Sequence, residues 1–222
     1  MTLGQPITVP AVSLDDMKRL KREVLRFLWL RGVPPLAEGS TSPDELLYLA
    51  DAVQRCGARL ICEIGFNTGF SSHAFLAAHP DTRVVSFDLG AQRYTKTAKK
   101  LVDQRFPGRH TLICGDSTET VPDYHAAHPD LRFDLVFIDG GHAYDVARAD
   151  IANMRPFCTE DTAVLIDDLT PWHPWGEGPA RAWNEAIQDG VIRQEELFKD
   201  GKPVEVMAPP GKRSWALGRY LT

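Results

Sequence analysis

The sequence predicts an α/β fold: a doubly wound, mostly parallel sheet with helices on both faces and an antiparallel hairpin at the C-terminal end. Three observations carry this. After Gly57, short apolar runs alternate with helical stretches, the pattern of a parallel sheet covered on both sides. At 222 residues, 43% hydrophobic and 25% charged, the chain has the length and composition of one globular domain with trimmings. Finally, Lys202 to Ala208 and Ser214 to Tyr220 flank Pro209-Pro210-Gly211-Lys212, and strands joined by so short a turn must run antiparallel.

Residues 1–12 hold Pro6 and Pro10 without periodicity and read as an extended arm. Ser13, followed by Asp15 and Asp16, caps a helix whose apolar stripe is Leu14, Met17, Leu20, Val24 and Leu28, and Gly32 with Pro34 and Pro35 stops it. Lys18, Arg19, Lys21, Arg22 and Arg26 fall mostly off that stripe. They form either a solvated face or a basic patch, and the solvated face is the expectation. Ser42-Pro43-Asp44-Glu45 is a capping box opening a helix through about Arg55. The apolar runs that follow are Leu60 to Ile64, Arg83 to Phe87, His110 to Cys114, Leu135 to Ile138 and Ala163 to Ile166. Helices are expected near 70–79, 91–105, 118–127 and 144–155. The division is an N-terminal arm and helix over 1–39 and a main domain over 40–222. No internal repeat or low-complexity stretch interrupts it.

A formal charge of −5 gives no net attraction to phosphate backbones, so nucleic acid is not an expected partner. Cysteines at 56, 62, 114 and 158 lack metal-finger spacing, and Cys62 and Cys114 lie in apolar runs that read as buried strands; reduced core residues are expected. No run approaches the ~18 apolar residues of a membrane span, and the first residues lack a signal-peptide pattern. The expectation is a cytoplasmic protein with no membrane partner.

Ligands of open α/β sheets bind beyond the carboxyl ends of the strands. The first strand ends Cys62-Glu63-Ile64-Gly65-Phe66-Asn67-Thr68-Gly69-Phe70-Ser71-Ser72. Gly65 and Gly69 allow a tight turn and close approach to a ligand, and the next helix offers free N–H groups. The spacing is E-x-G-x-x-x-G, not the G-x-G-x-x-G of a dinucleotide site, and no P-loop Gly-Lys-Ser/Thr is present. Glu63 would face a pyrophosphate unfavourably but suits an ammonium or a sulfonium.

Asp88 ends the second run and Cys114-Gly115-Asp116-Ser117 ends the third. This ordered set resembles the class I S-adenosylmethionine-dependent methyltransferases over roughly residues 40–220, and implies their Rossmann-like sheet. The resemblance implies a cofactor site of Glu63, Gly65, Asn67, Thr68, Gly69, Ser71, Asp88, Asp116, Ser117 and Asp139. Asp88 would accept from the ribose hydroxyls, and Asp116 and Ser117 would flank the adenine. Asp88 and Asp116 could instead cap the helices that follow them.

The fourth run ends Ile138-Asp139-Gly140-Gly141-His142, and the fifth Ile166-Asp167-Asp168. Neighbouring parallel strands would gather Asp139, Asp167 and Asp168, if the two consecutive aspartates turn inward together. At ~4 Å and an effective dielectric of about 20, each like-charged pair costs about 4 kcal/mol. Proton uptake or a hard divalent cation must offset this, and an all-oxygen set favours Mg²⁺, with manganese or calcium as substitutes. Here the likeness narrows to metal-dependent small-molecule O-methyltransferases of the catechol and macrocin types. An Asp at 168, where the catechol type commonly has Asn, places the chain nearer the sugar-modifying branch.

The resemblance makes His142, three residues after Asp139, the general base; imidazole, with a pKa near 6.5, is a suitable proton acceptor. His173, within Trp172-His173-Pro174-Trp175, is the rival. Those tryptophans would either wall a substrate pocket or pack on the helix holding Arg181-Ala182-Trp183. The expected reaction is methylation of a hydroxyl in a diol, catechol or sugar of a small secondary metabolite. Alternatives are metal-independent N- or C-methylation and a non-catalytic nucleoside-binding module; a nicotinamide oxidoreductase would need the missing glycine pattern. The arm and first helix are candidate elements of a homodimer.

Overall fold

A computed structural model describes residues 11–33 and 41–221. Most of the arm expected over 1–12, and the Pro34-Pro35 stop, lie outside the described residues. Helix α1 (Leu14–Trp29) begins at Ser13 with a full capping box closed by Asp16, and buries Met17, Leu20, Val24 and Leu28. Arg22 and Arg26 are exposed with Lys18 and Arg19, the solvated face expected, although Lys21 folds back to the Thr41 carbonyl at 2.7 Å. Helix α2 (Pro43–Cys56) carries the second box, Ser42 with Glu45, and ends at Gly57 in the left-handed conformation.

Alternation follows: β1 (Leu60–Ile64), α3 (Phe70–Ala78), β2 (Arg83–Asp88), α4 (Arg93–Arg105), β3 (His110–Cys114), α5 (Ser117–Ala127), β4 (Leu135–Ile138), α6 (Tyr144–Met154) and β5 (Ala163–Asp167). Helix α7 (Glu177–Gln188) precedes β6 (Ile192–Lys199), β7 (Lys202–Pro203) and β8 (Ser214–Tyr220). The sheet order is β3-β2-β1-β4-β5-β8-β6-β7, parallel through β5 and antiparallel beyond it. The fold class is the one the sequence predicts, and the order reverses between β1 and β4, where ligands of such sheets bind.

The strand period of two divides the core cleanly. Ile61, Leu135, Phe137, Ala163 and Leu165 face the layer of α1 to α4. Cys62, Val136, Ile138, Val164 and Ile166 face α5 to α7.

The C-terminal hairpin requires a correction. Ser214–Tyr220 pairs with Ile192–Lys199 rather than with 202–208, of which only Lys202 and Pro203 join the sheet. Pro203 offers no N–H to a ladder, and neither do Pro209 and Pro210. The true partner strand is hidden in sequence because a bulge between Gln194 and Glu196 breaks the apolar alternation that marks a strand. A second correction concerns Cys114, which is exposed at the end of edge strand β3; Cys62 is buried as expected, and all four cysteines are free.

Candidate active site

The first loop is built by close backbone approach. Gly65 (φ +98°) lies so near β4 that a Cβ there would sit 1.8 Å from the Asp139 carbonyl oxygen. Its N–H donates to the Phe87 carbonyl at 2.8 Å. Asn67 is left-handed (φ 47°) and its N–H donates to Asp88 Oδ2 at 2.7 Å, while the Gly90 N–H donates to Oδ1 at 2.7 Å. Asp88 thus ties the β1 and β2 loops together, and each oxygen keeps a lone pair for a further donor. Gly69 (φ +74°) starts α3, and a Cβ there would meet the Phe66 ring at 2.9 Å. Thr68 and Ser71 are buried beside it.

Glu63 does not face the cleft, contrary to the sequence expectation. It is fully buried on the α3 side of β1, and its carboxylate accepts from the hydroxyls of Ser71, Ser72 and Ser86. Burial pushes its pKa up and the three hydroxyls pull it back. His110 Nε2 lies 2.9 Å from Ser86 Oγ, and burial drives this imidazole down to about 3, so it stays neutral. Glu63 therefore ties β1 to the first turn of α3 and to β2. The strand parity carries this signal, since Glu63 shares a face with core residue Ile61.

Asp116 is the N-cap of α5, its Oδ1 accepting from the Thr118 N–H at 2.9 Å and the Thr118 hydroxyl at 2.7 Å. The capping alternative accounts for its side chain. Asp88 caps no helix, because α4 starts at Gln92 without a side-chain cap. Ser117 lies beside Asp150, a fully buried carboxyl that the sequence reading passed over. Burial raises the Asp150 pKa to about 6.

Asp139, Asp167 and Asp168 come together as predicted. One oxygen from each lies within 4.8 Å of the other two, and among the described residues no other group of His, Cys, Asp and Glu has ion-holding spacing. The means is backbone conformation: Asp168 adopts φ 60°, a left-handed turn tolerated by aspartate, which lets consecutive residues address one point. Burial, followed by the neighbouring carboxylates, raises Asp139 and Asp167 well above the ordinary carboxylate range.

His142 Nε2 stands 3.0 Å from Asp168 Oδ2, with its side chain about half exposed, at 52%. One narrow cavity is lined by Asp139, Gly140, His142, Asp150, Asp167 and Asp168. His173 is directed elsewhere. Its Nε2 and Trp172 Nε1 each lie 2.9 Å from the Gly211 carbonyl, and its ring stacks on Trp175 at 4.3 Å. Both tryptophans thus belong to a loop fastened to the turn before β8. Neither is among the buried partners of Trp183, whose indole donates to Gln194 Oε1 at 2.9 Å.

Sequence reading also missed Glu45. This α2 residue is fully buried, within hydrogen-bonding reach of Asp167 and with Oε2 3.8 Å from Arg213 Nη1. Its signal was parity: Asp139 continues the Leu135-Phe137 series and Asp167 the Ala163-Leu165 series, which face the layer containing α2.

No helix among the described residues is long and apolar enough to cross a membrane. No curated protein matches the sequence. The family described as "Methyltransferase domain" matches residues 62–169, from β1 through the turn at Asp168. Similar solved structures include an O-methyltransferase from Bacillus cereus in complex with SAH, with 17% identity, TM-score 0.73, and 97% of this chain and 94% of that chain covered. TomG, an O-methyltransferase from Streptomyces achromogenes in complex with SAM, shares 18% identity at TM-score 0.68, covering 97% and 93%. CalS11, a TDP-rhamnose 3'-O-methyltransferase of calicheamicin biosynthesis, shares 22% identity at TM-score 0.61, covering 96% and 98%. Residues 62–169 thus match the methyltransferase domain family, and the sheet, ordered β3-β2-β1-β4-β5 before its antiparallel end, has the Rossmann-like fold of these methyltransferase structures.

Proposed function

We propose that this protein transfers a methyl group from S-adenosylmethionine to a hydroxyl oxygen of a small molecule, assisted by a divalent cation, Mg²⁺ first. The observation that carries the reading is the convergence of Asp139, Asp167 and Asp168 within 4.8 Å, with His142 3.0 Å from Asp168. Three crowded carboxylates, with burial raising the pKa of Asp139 and Asp167, are an incomplete electrostatic arrangement, and the hard oxygen donors suit Mg²⁺, Mn²⁺ or Ca²⁺. When bound, such an ion supplies Lewis acidity and a fixed anchor for the acceptor's oxygens.

The chain's own residues do the rest. Gly65 and Gly69 let the backbone approach the donor, and Asp88 retains acceptor capacity for a ribose diol. A new C–O bond forms as the C–S bond breaks in line, so alignment and exclusion of water carry much of the rate. The hydroxyl proton passes to His142, whose half-exposed ring faces the cluster. His173, engaged with Gly211, is not the base in this reading. Adjacent oxygens that could share an ion make diols, catechols and sugars the favoured acceptors, and the CalS11 likeness supports the sugar branch.

The test is a mass-shift assay of the purified enzyme with S-adenosylmethionine and a panel of catechols, flavonoids and glycosylated polyketides. A gain of one methyl on a hydroxyl that disappears in chelator and returns with Mg²⁺ is expected. Full turnover in chelator, or methylation of amines only, contradicts the reading.

A further inference from the structure

Glu45 does more than a capping residue requires. In the box at the start of α2 its Oε2 accepts from the Ser42 N–H at 3.4 Å while Ser42 Oγ accepts from the Glu45 N–H at 3.2 Å. One oxygen suffices for that role, and a capping glutamate ordinarily sits in the solvated first turn. Here the residue is fully buried. Its other oxygen, Oε1, is sealed from solvent and meets no hydrogen-bond donor. What lies within hydrogen-bonding reach of the carboxyl is a second carboxyl, that of Asp167. A buried, unpartnered carboxylate oxygen beside an acid is costly, and no capping function calls for it.

The topology explains the encounter. Asp139 and Asp167 continue the strand parity that faces α2, and α2 enters the core with its first turn over the carboxyl ends of β4 and β5. Arg213, next to the start of β8, puts Nη1 3.8 Å from Glu45 Oε2, so this extra carboxylate arrives with its own counter-charge.

We infer that Glu45 is a fourth carboxylate set behind the ion site, contributed by α2 and counter-charged by Arg213, so that capping of α2 and positioning of the ion ligand Asp167 are joined in one side chain. The inference rests on the ion site proposed above. It assigns a role in shaping that site to the N-terminal helical layer, outside the matched segment of residues 62–169. Glu45 acts as a positioning residue toward Asp167 and the ion, and not as a base.

The experiment is calorimetric titration of the full-length, chelator-stripped protein with Mn²⁺, paralleled by the electron paramagnetic resonance signal of free Mn²⁺. The wild type is compared with Glu45→Gln, Glu45→Asp, Ser42→Ala and Asp167→Asn, and S-adenosylhomocysteine affinity is measured on each. Glu45→Gln keeps the shape and the capping capacity but loses the charge. It is expected to weaken Mn²⁺ binding by about tenfold or more, with S-adenosylhomocysteine affinity within about twofold of wild type. Glu45→Asp, which keeps the charge but withdraws it, falls between the two. Ser42→Ala, which strips the cap and leaves the carboxylate, lowers the melting temperature but leaves Mn²⁺ affinity nearly unchanged. If Glu45→Gln and Glu45→Asp bind Mn²⁺ as tightly as wild type while Asp167→Asn does not, the role of Glu45 is overturned and the ion site stands. If wild type and Asp167→Asn are alike in failing to bind, both fall together.

Discussion

His142 Nε2 lies 3.0 Å from Asp168 Oδ2, so the imidazole proposed to accept the acceptor's proton is held by a carboxylate of the proposed ion site. In the proposed reading, base and ion ligand would form one unit across two adjacent strand ends, β4 and β5. Removing the imidazole should leave donor and ion binding intact while slowing proton transfer. His142→Gln is expected to lower kcat by about 10²–10⁴-fold with Mn²⁺ affinity within a fewfold, read by steady-state kinetics and titration. His173→Gln, by contrast, loosens the loop pinned to Gly211 and should raise the acceptor KM more than it lowers kcat.

The aspartate cluster should trade stability for function. Asp139→Asn removes one of three mutually repelling groups, so the ion-free protein at pH 8 is expected to gain about 1–2 kcal/mol, a rise of a few degrees in Tm. The same substitution should abolish turnover and the melting shift produced by Mg²⁺, with modest loss of cofactor affinity. Differential scanning fluorimetry with and without Mg²⁺ reads both effects.

Stability without ion should also depend on pH with a definite sign. Asp139 and Asp167, raised first by burial, bind protons more tightly folded than unfolded. Their stability is complete below the ordinary carboxylate range and is lost as pH rises through their elevated values. Asp150, raised from 3.8 to about 6 by burial, fixes part of that window between about 4 and 6. The ion-free protein should therefore melt progressively lower from pH 5 to pH 8. Asp150→Asn should remove part of the slope, stabilising the protein by about 1–3 kcal/mol at pH 8 and hardly at all at pH 4.

Much of this was legible in sequence, and what was not has physical reasons. Strands β1, β2, β4 and β5 were readable because both faces are buried, which makes each run largely apolar, and edge strand β3 by its place in the alternation; Leu60–Ile64, His110–Cys114 and Leu135–Ile138 have the ends expected. Strand β6 was invisible because its bulge and its charged edge residues erase alternation. The gathering of Asp139, Asp167 and Asp168 followed from strand adjacency, but the left-handed turn at Asp168 that completes it leaves no mark that composition reveals. Glu63 misled because its residue type suits a cationic ligand, whereas its parity with Ile61 sends it into the core. Glu45 was read as a cap, which it is; its approach to Asp167 depends on how α2 packs, a relation between segments over a hundred residues apart in sequence.

The glycine loop should be intolerant of a single methyl. Gly65→Ala places Cβ 1.8 Å from the Asp139 carbonyl oxygen, at a φ of +98° that side chains rarely adopt. A loss of more than about 2 kcal/mol in denaturant unfolding is expected, with donor and ion affinity falling together because the displaced backbone belongs to Asp139.

The most direct measurement is anomalous diffraction from crystals grown with Mn²⁺ and S-adenosylhomocysteine. One strong peak enclosed by the carboxylates of Asp139, Asp167 and Asp168 is expected, with the nucleoside's ribose against Asp88. A loaded nucleoside site with no peak at those aspartates, or an ion bound elsewhere, would contradict this expectation.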